Sequence, residues 1–519
     1  MPTTSSRLVS RYSRHLLFSV AASCSLHAIA PAQESSPAEA ASTAQEQVSF
    51  AEIIDRQFGK GVAPETNALA KIYEAIGPRP EGTFQGEEYF RRLGIPVPSD
   101  NGSYYQEFGQ GLAGEASRTA LEAYGKAMNG LWTEKQYPDL AKWLQENEKL
   151  LQIVNEGTLR QNWYYPVVQK TEDGKPTPLI ALLLPHVQKM RGLARAFLVR
   201  ANLHLANNEP EKAWADLQTC HRLGRLTAKG PTLIDFLVGV AINSIATHGE
   251  LRLLSETKLT EQQIDKFLGD LAKLPQMPQV SVNINVTERM MFNDSISLMR
   301  DGHLNVSELT GDSPSEKSPF EQPILRALID WDVVLKRGNE AYDELVAILE
   351  MKDVAKRRDK LAEFDQKWTA IRSDFTTTSL MKEYLRTGSA SSVVTERMAD
   401  AMIALLTPAL RGVENAQLRC LQTNENLMLA MQLAKFKVRT GSYPDTLADL
   451  EKELSIKVSP DLCSGAPMHY TKTETGYVLY SVGTNGIDEG GKSWNDPPLN
   501  SSGVTGDDNV VRMPLPKEN

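Results

Sequence analysis

The stretch PLIALLLPHVQKMRGLARAFLVRANLHLANNEPEKAWADLQTCHRLGR (178–225) decides the fold class. Leu179, Leu182, Leu183, Val187, Met190, Leu193, Phe197 and Leu198 return every three or four residues, which predicts one long amphipathic helix over 178–206. Glu209-Pro210 opens a second helix, with the proline in the first turn, where a helix tolerates it. Ala213, Leu217, Cys220 and Leu223 give that second helix its own apolar stripe. Two such faces joined by a few residues pack as an antiparallel hairpin.

The same period extends to both sides. Upstream, 116–132 and 140–154 read as helices, while Gly77-Pro78-Arg79-Pro80 and the Gly and Pro that follow, to about Gly114, break the chain into loops and turns. Downstream, Gly230-Pro231-Thr232 caps a helix carrying Leu233, Phe236, Leu237, Val240, Ile242, Ile245 and Leu251, dense enough in apolar groups to be central and buried. TGDSPSEKSPFEQP (310–323) is polar, has three prolines and no apolar period, and reads as a linker. Beyond it, 324–347 and 351–384 read as long helices of mixed charge, and 387–392 as a small-residue break. A further helical stretch, interrupted near Pro408, runs to about Thr440; its stripe Val413, Cys420, Leu427, Met431, Ala434, Val438 is the expected packing face for a sheet. Strands are expected only at 468–472 and 477–481, and the tail after Asp496, rich in Gly, Ser, Asn and Pro, reads as disordered.

Three resemblances add to this reading. The pair 200–206 and 209–225 resembles one tetratricopeptide hairpin, with Ala201, Ala213, Leu217 and Cys220 at matching offsets. A solenoid needs three or more such units, and one is visible, so local hairpin packing is the plainer account. QYPDLAKWLQENEKLL (136–151), the helix of 179–206 and GPTLIDFLVGVAI (230–242) resemble segments of an exported bacterial helical family whose members are uncharacterised.

The third resemblance lies near the end, in GSYPDTLADL (441–450), DLCSGAPMHY (461–470) and GYVLYSVGTNGIDEGG (476–491). This order is similar to the carboxy-terminal part of type II secretion major pseudopilins: a long helix, a G-x-Y-P turn, a helical L-x-x-L segment, a D-x-x-S/G-x-P element, and a strand pair ending in an S-x-G-x-x-G-x-D loop. It implies a small α+β head over 411–496, an assembly module rather than an enzyme. It also implies calcium at the loop 481–491, with Asn485, Asp488 and Glu489 supplying side-chain oxygens and Asp496 completing the set. Two departures stand out: Asn485 is neutral where many relatives carry Asp, and Lys492 adds a positive charge. D-x-D-x-D-G is absent, so the loop is not an EF-hand. Read from composition alone, it is an acid-rich turn facing water. The amino terminus lacks the G-F-T-L-x-E-like site and anchor helix of a pilin, so the expectation is a head without the fibre-forming part.

Residues 1–32 read as a secretory signal: Arg7, Arg11 and Arg14, a mostly apolar Leu16–Ile29, then Ala30-Pro31-Ala32. Ser23, Ser25 and His27 interrupt the apolar run, which argues against a permanent span. Cys24 sits in a poor lipobox, and the arginines are not paired as in a twin-arginine signal. Residues 33–48 read as a disordered tether. The whole chain carries a net charge of −9, and the leader holds three arginines and no acid, so the remainder is more acidic still. That argues against nucleic acid as a partner, since an acidic surface repels phosphate backbones. Cys220, Cys420 and Cys463 are scattered, without C-x-x-C; buried thiols are the plainer reading, with one disulfide as the alternative.

No catalytic constellation holds. His186, His204, His221, His248, His303 and His469 form no H-E-x-x-H or H-x-H; His204 and His221 sit on the two helices of the hairpin without carboxylate spacing. No G-x-S-x-G nucleophile elbow occurs. The run 352–360 alternates charge as a solvated helix face does. Trp132, Trp143 and Trp163-Tyr164-Tyr165 read as core, with an aromatic groove for a peptide or glycan as the alternative. The expected architecture is therefore mainly α: an antiparallel helical domain (49–309) with a TPR-like hairpin, a linker (310–323), a helical region (324–410), a pseudopilin-like α+β domain (411–496) and a disordered tail (497–519). The expected function is that of an exported, non-enzymatic protein of the periplasm or envelope, with no transmembrane segment after cleavage. It makes protein–protein contacts, with a secretion or pilus-like assembly as first partner. An exported hydrolase or ligand-binding protein with a site in a helical cleft is the alternative.

Overall fold

The computed structural model describes residues 48–79, 86–172, 174–182, 184–310, 326–373, 390–407, 410–500 and 503–516. The expected leader, nearly all of the tether and linker, and the Pro408 break lie outside them. The first helices are α1 (Phe50–Gly59), α2 (Ala68–Ile76), α3 (Glu87–Leu93), α4 (Gly114–Asn129) and α5 (Pro138–Thr158). Ser49 and Glu52 form a capping box at α1. Asn67 does two jobs: its Oδ1 caps α2 through Leu69 N, and it also accepts from Tyr164 N, which ties the 162–165 segment alongside.

Next, a two-stranded ribbon, β1 (Thr171–Glu172) with β2 (Lys175–Pro176), precedes α6 (Pro185–Ala206), α7 (Pro210–Thr227), α8 (Leu233–Glu256) and α9 (Glu261–Ala272). The expected hairpin is α6–α7, but α6 starts at Pro185, seven residues later than the apolar period suggested. Proline disfavours helical geometry in the residue before it, and Leu184 is indeed non-helical, so Leu179–Ala181 make only a separate 3-10 turn. Thr232 and Asp235 form a capping box that fixes the start of α8. The helices α7 and α8 cross where two glycines meet: a Cβ on Gly239 would stand 2.5 Å from the Gly224 carbonyl oxygen. As the apolar density predicted, α8 is buried along most of its length.

After a π-helical turn (Ile284–Glu288) come α10 (Arg289–Asp301), α11 (Val306–Thr310), α12 (Trp331–Leu349), α13 (Val354–Ser373) and α14 (Ala390–Leu406). The chain ends with α15 (Leu410–Thr440), α16 (Leu447–Leu454) and the strands β3 (His469–Lys472), β4 (Tyr477–Ser481) and β5 (Asn509–Met513). These three strands form an antiparallel sheet in the order β3-β4-β5, with Tyr477 opposite Met513 and Ser481 opposite Asn509. The fold is mainly helical, as expected.

Two expectations are corrected here. The tail is not disordered throughout: Val511 and Met513 are buried in the head core with Tyr477 and Leu479, so β5 belongs to the head, which extends past Asp496 to Met513. Its Gly- and Asp-rich approach hid a strand whose burial comes from pairing with β4 rather than from its own composition. Second, 411 does not separate a head from a body. Along α15, Val413 and Cys420 pack with α10, α12, α13 and α14, Leu427 and Met431 with α7, α8 and α9, and Leu429 and Leu433 with the sheet. Leu251 and Leu254 of α8 reach the head core, Leu515 N donates to Ser255 Oγ, and Lys435 pairs with Asp265 at 2.6 Å. The turn after α15 is as expected: Gly441 has φ +89°, and Lys437 lies over the Tyr443 ring.

Candidate functional site

The connection from β4 to β5 (482–508) is where the acids of the sequence gather. Asp461 anchors its start: Oδ1 accepts from Cys463 N (2.7 Å) and Ser481 Oγ (2.8 Å), and Oδ2 accepts from Ser464 Oγ (2.9 Å) and Val482 N (3.1 Å). Gly483 has φ +71°, and a Cβ there would strike the Asp507 carbonyl, so only glycine fits between the two arms. Asp507 Oδ2 accepts from Thr484 Oγ1 and Asn485 N, both at 3.0 Å, and its Oδ1 accepts from Arg419 Nη2 at 2.7 Å. The same Arg419 nitrogen donates to Thr484 Oγ1 at 3.2 Å, and its guanidinium lies 4.7 Å from the Trp494 ring centre.

Asp508 is buried and accepts from Gly491 N (2.7 Å) and Lys492 N (3.2 Å). Burial, with Glu489 alongside, pushes its carboxyl up to about 6. Glu489 Oε2 accepts from Asp507 N (3.0 Å), and its Oε1 accepts from Asn485 Nδ2 (2.7 Å). Asp488 turns away: Oδ1 accepts from Gly490 N (2.8 Å) and Tyr480 OH (3.2 Å), and Oδ2 lies 3.9 Å from His469, whose ring stacks on Tyr480. The Gly490 N–H, with Tyr480 and His469, holds the Asp488 carboxyl below its ordinary value. Asp496 is desolvated, yet Ser493 and Arg512 hold it low as well.

Of the expected metal residues, the loop thus brings Asn485 and Glu489 together and sends Asp488 to the sheet and Asp496 to Arg512. Calcium needs six to eight oxygens around one point. Here Asn485 Oδ1, both Glu489 oxygens, Asp488 Oδ1 and Asp496 Oδ2 each accept from N–H or O–H groups of different partners. Among the described residues, no group of three or more His, Cys, Asp or Glu is disposed around a metal position. The neighbouring Asp507 and Arg419 escaped sequence reading because they lie far from 485 in the chain. Their only signals were the Gly506-Asp507-Asp508 triplet and a lone arginine on an apolar helix face.

A second polar group sits inside the helical body. His221 Nε2 lies 2.8 Å from Glu250 Oε2, and His221 Nδ1 lies 2.8 Å from Asn243 Oδ1. Arg225 Nη1 donates to Asn243 Oδ1 (2.8 Å), and its Nε donates to the Pro275 carbonyl (2.6 Å). Gln218 Nε2 donates to Glu250 Oε1 (3.1 Å), while Asn243 Nδ2 donates to Asn424 Oδ1 (2.9 Å) and Cys420 Sγ (3.3 Å) of α15. A carboxylate–imidazole pair is general-base chemistry, but His221 and Glu250 have zero exposure and meet no substrate. The network joins α7, α8 and α15.

The chain matches no protein-family model, no curated protein and no solved structure.

His204 does not meet His221; it pairs with Glu209 at 2.9 Å. Near the start of α8, Tyr165 OH donates to Asp235 Oδ2 (2.6 Å), and burial pushes Asp235 up to about 6. The His186 ring lies edge-on to Tyr165 at 4.4 Å, and burial pushes it down to about 3. Trp132, Trp163 and Tyr165 are core residues, and Trp132 Nε1 donates to the Val199 carbonyl at 2.8 Å. Trp143 packs edge-on against Phe108 and Tyr124. Beside α15, a hollow of 150 Å³ lined by Asn426, Leu429, Gln432, Val458 and Met468 is smaller than the roughly 300–1,000 Å³ of ligand pockets. A shallow cup of 420 Å³ at the end of α1, lined by Asp55, Arg56, Gly59, Lys60 and Tyr164, has the size but little convergence, since Asp55 is already paired with Arg92. Cys220, Cys420 and Cys463 are free, buried thiols.

Proposed function

We propose that the chain is an exported, non-enzymatic envelope protein whose carboxy-terminal head presents a protein-binding surface, with a secretion or pilus-like assembly as the partner class. The observation that carries this reading is the exposure of Ile487 (60%), Trp494, Leu499 and Val504 along the β4–β5 connection, on a head held rigidly by α15. Large apolar side chains held outward on a fixed scaffold are what a protein interface offers. Among the described residues, no helix is long and apolar enough to cross a membrane. The resemblance to pseudopilin heads names the partner class, and the α6–α7 pair, similar to a tetratricopeptide hairpin, is scaffold in this reading.

Because α15 belongs to the helical cores as well, the surface is tested by point substitution. Ile487→Asp with Leu499→Asp changes two exposed side chains that lie outside the head core. Cross-linking of the full mature chain in envelope extracts is expected to recover secretion or pilus components, and the double variant to lose them. Recovery of the same components by both chains would sink the assignment of the surface. Recovery of none by the parent chain would sink the partner class.

A further inference from the structure

We infer that the β4–β5 loop takes its positive countercharge from Arg419 of α15 and closes without a divalent cation. The inference stands whether or not the head binds the proposed partner. Asp507 links the two arms of the loop, accepting from Arg419 on Oδ1 and from Thr484 and Asn485 on Oδ2. A guanidinium stays charged at every relevant pH and donates along fixed directions. Arg419 is fixed further by its bond to Thr484 and by its place over the Trp494 ring. At the far side of the loop, Arg512 of β5 donates to Asp496 Oδ2 at 3.0 Å and to the Gly491 carbonyl.

The remaining acids close the loop by accepting from its backbone: Glu489 from Asp507 N, Asp488 from Gly490 N, Asp508 from Gly491 N and Lys492 N. A calcium ion at this place would have to break several of these bonds to collect six oxygens, and it would face the Arg419 charge at Asp507. The structure therefore assigns to a side chain of the long helix the work a metal would otherwise do. Its consequence is a head whose shape is indifferent to calcium and to chelators.

The test is thermal unfolding of the full mature chain, first in EDTA and then in calcium at about 10 mM, roughly tenfold above the weak end of extracellular calcium modules. The parent chain is expected to melt at the same temperature in both. Arg419→Gln is expected to melt lower, and Arg419→Lys, which keeps the charge, to lie between the two. A rise of the parent midpoint in calcium overturns the inference, and so does an Arg419→Gln midpoint equal to the parent's. Should Arg419→Gln fail to fold, Arg419→Lys decides: a folded lysine variant without a calcium response upholds the countercharge, and its failure refutes it.

Discussion

Arg419 and Cys420 are neighbours on α15, yet they serve two charged groups built on opposite plans. Cys420 and Asn424 face the buried His221–Glu250–Asn243–Arg225 network. Arg419 faces the β4–β5 loop, where Asp507 and Asp488 accept from backbone N–H groups at the edge of solvent. In the first, each charge depends on one or two side chains from other helices, and losing one strands the rest. In the second, most acceptors have several local donors, and water can replace a lost one. Similar residue types therefore carry very different energetic weight.

The largest effect is expected inside. Glu250→Ala removes the partner of a buried imidazole and leaves Arg225 unbalanced, which costs about 3–5 kcal/mol. Urea unfolding followed by helix signal measures it, and a loss near zero would mean the network is dispensable. Asp507→Asn removes the charge opposite Arg419 and turns one of two accepting oxygens into a donor, at about 1.5–3 kcal/mol. Repeating both at high salt sharpens the contrast. The loop variant's deficit is expected to shrink as screening reaches Arg419, while that of Glu250→Ala stays.

Smaller still are the titrations, and their signs differ. Asp508 is raised from 3.8 to about 6, so the unfolded chain ionises first and stability falls as pH rises through that window. Asp508→Asn is expected to flatten that fall, read from unfolding midpoints across it. In the helical body Asp235, raised likewise to about 6, behaves in the same way. His186, lowered from 6.5 to about 3, does the opposite: the unfolded imidazole takes a proton that the folded one refuses, so stability falls as pH drops from 6.5 towards 3. His186→Leu is expected to remove that acid-side loss, and an unchanged pH profile would refute the burial argument.

What could be read in advance follows the same division. The helices were legible because their apolar residues recur locally, and α7 and α8 begin as Pro210 and Thr232 foretold. The start of α6 was overrun because period alone ignores what Pro185 does to Leu184. Strand β5 was missed because five residues after a Gly- and Asp-rich run carry little signal of their own. In the loop, Gly483 and the nearby acids announced a tight turn. What they bond to was not legible, since Arg419 and Asp507 meet only once the sheet lies on α15. The buried network left no trace at all: His221 and Glu250 are 29 positions apart, on helices whose crossing the sequence does not state.

The course of α15 also has a consequence for the order in which the chain can mature. Everything up to α14 emerges from the ribosome before the helix that covers α8 and α9 exists. Until 410–440 arrives, Leu253, Ile264 and Phe267 lack part of their cover, and Asn243 has no partner on that side. The body thus stays partly uncovered until 410–440 has been made, a state in which chaperones can still engage it.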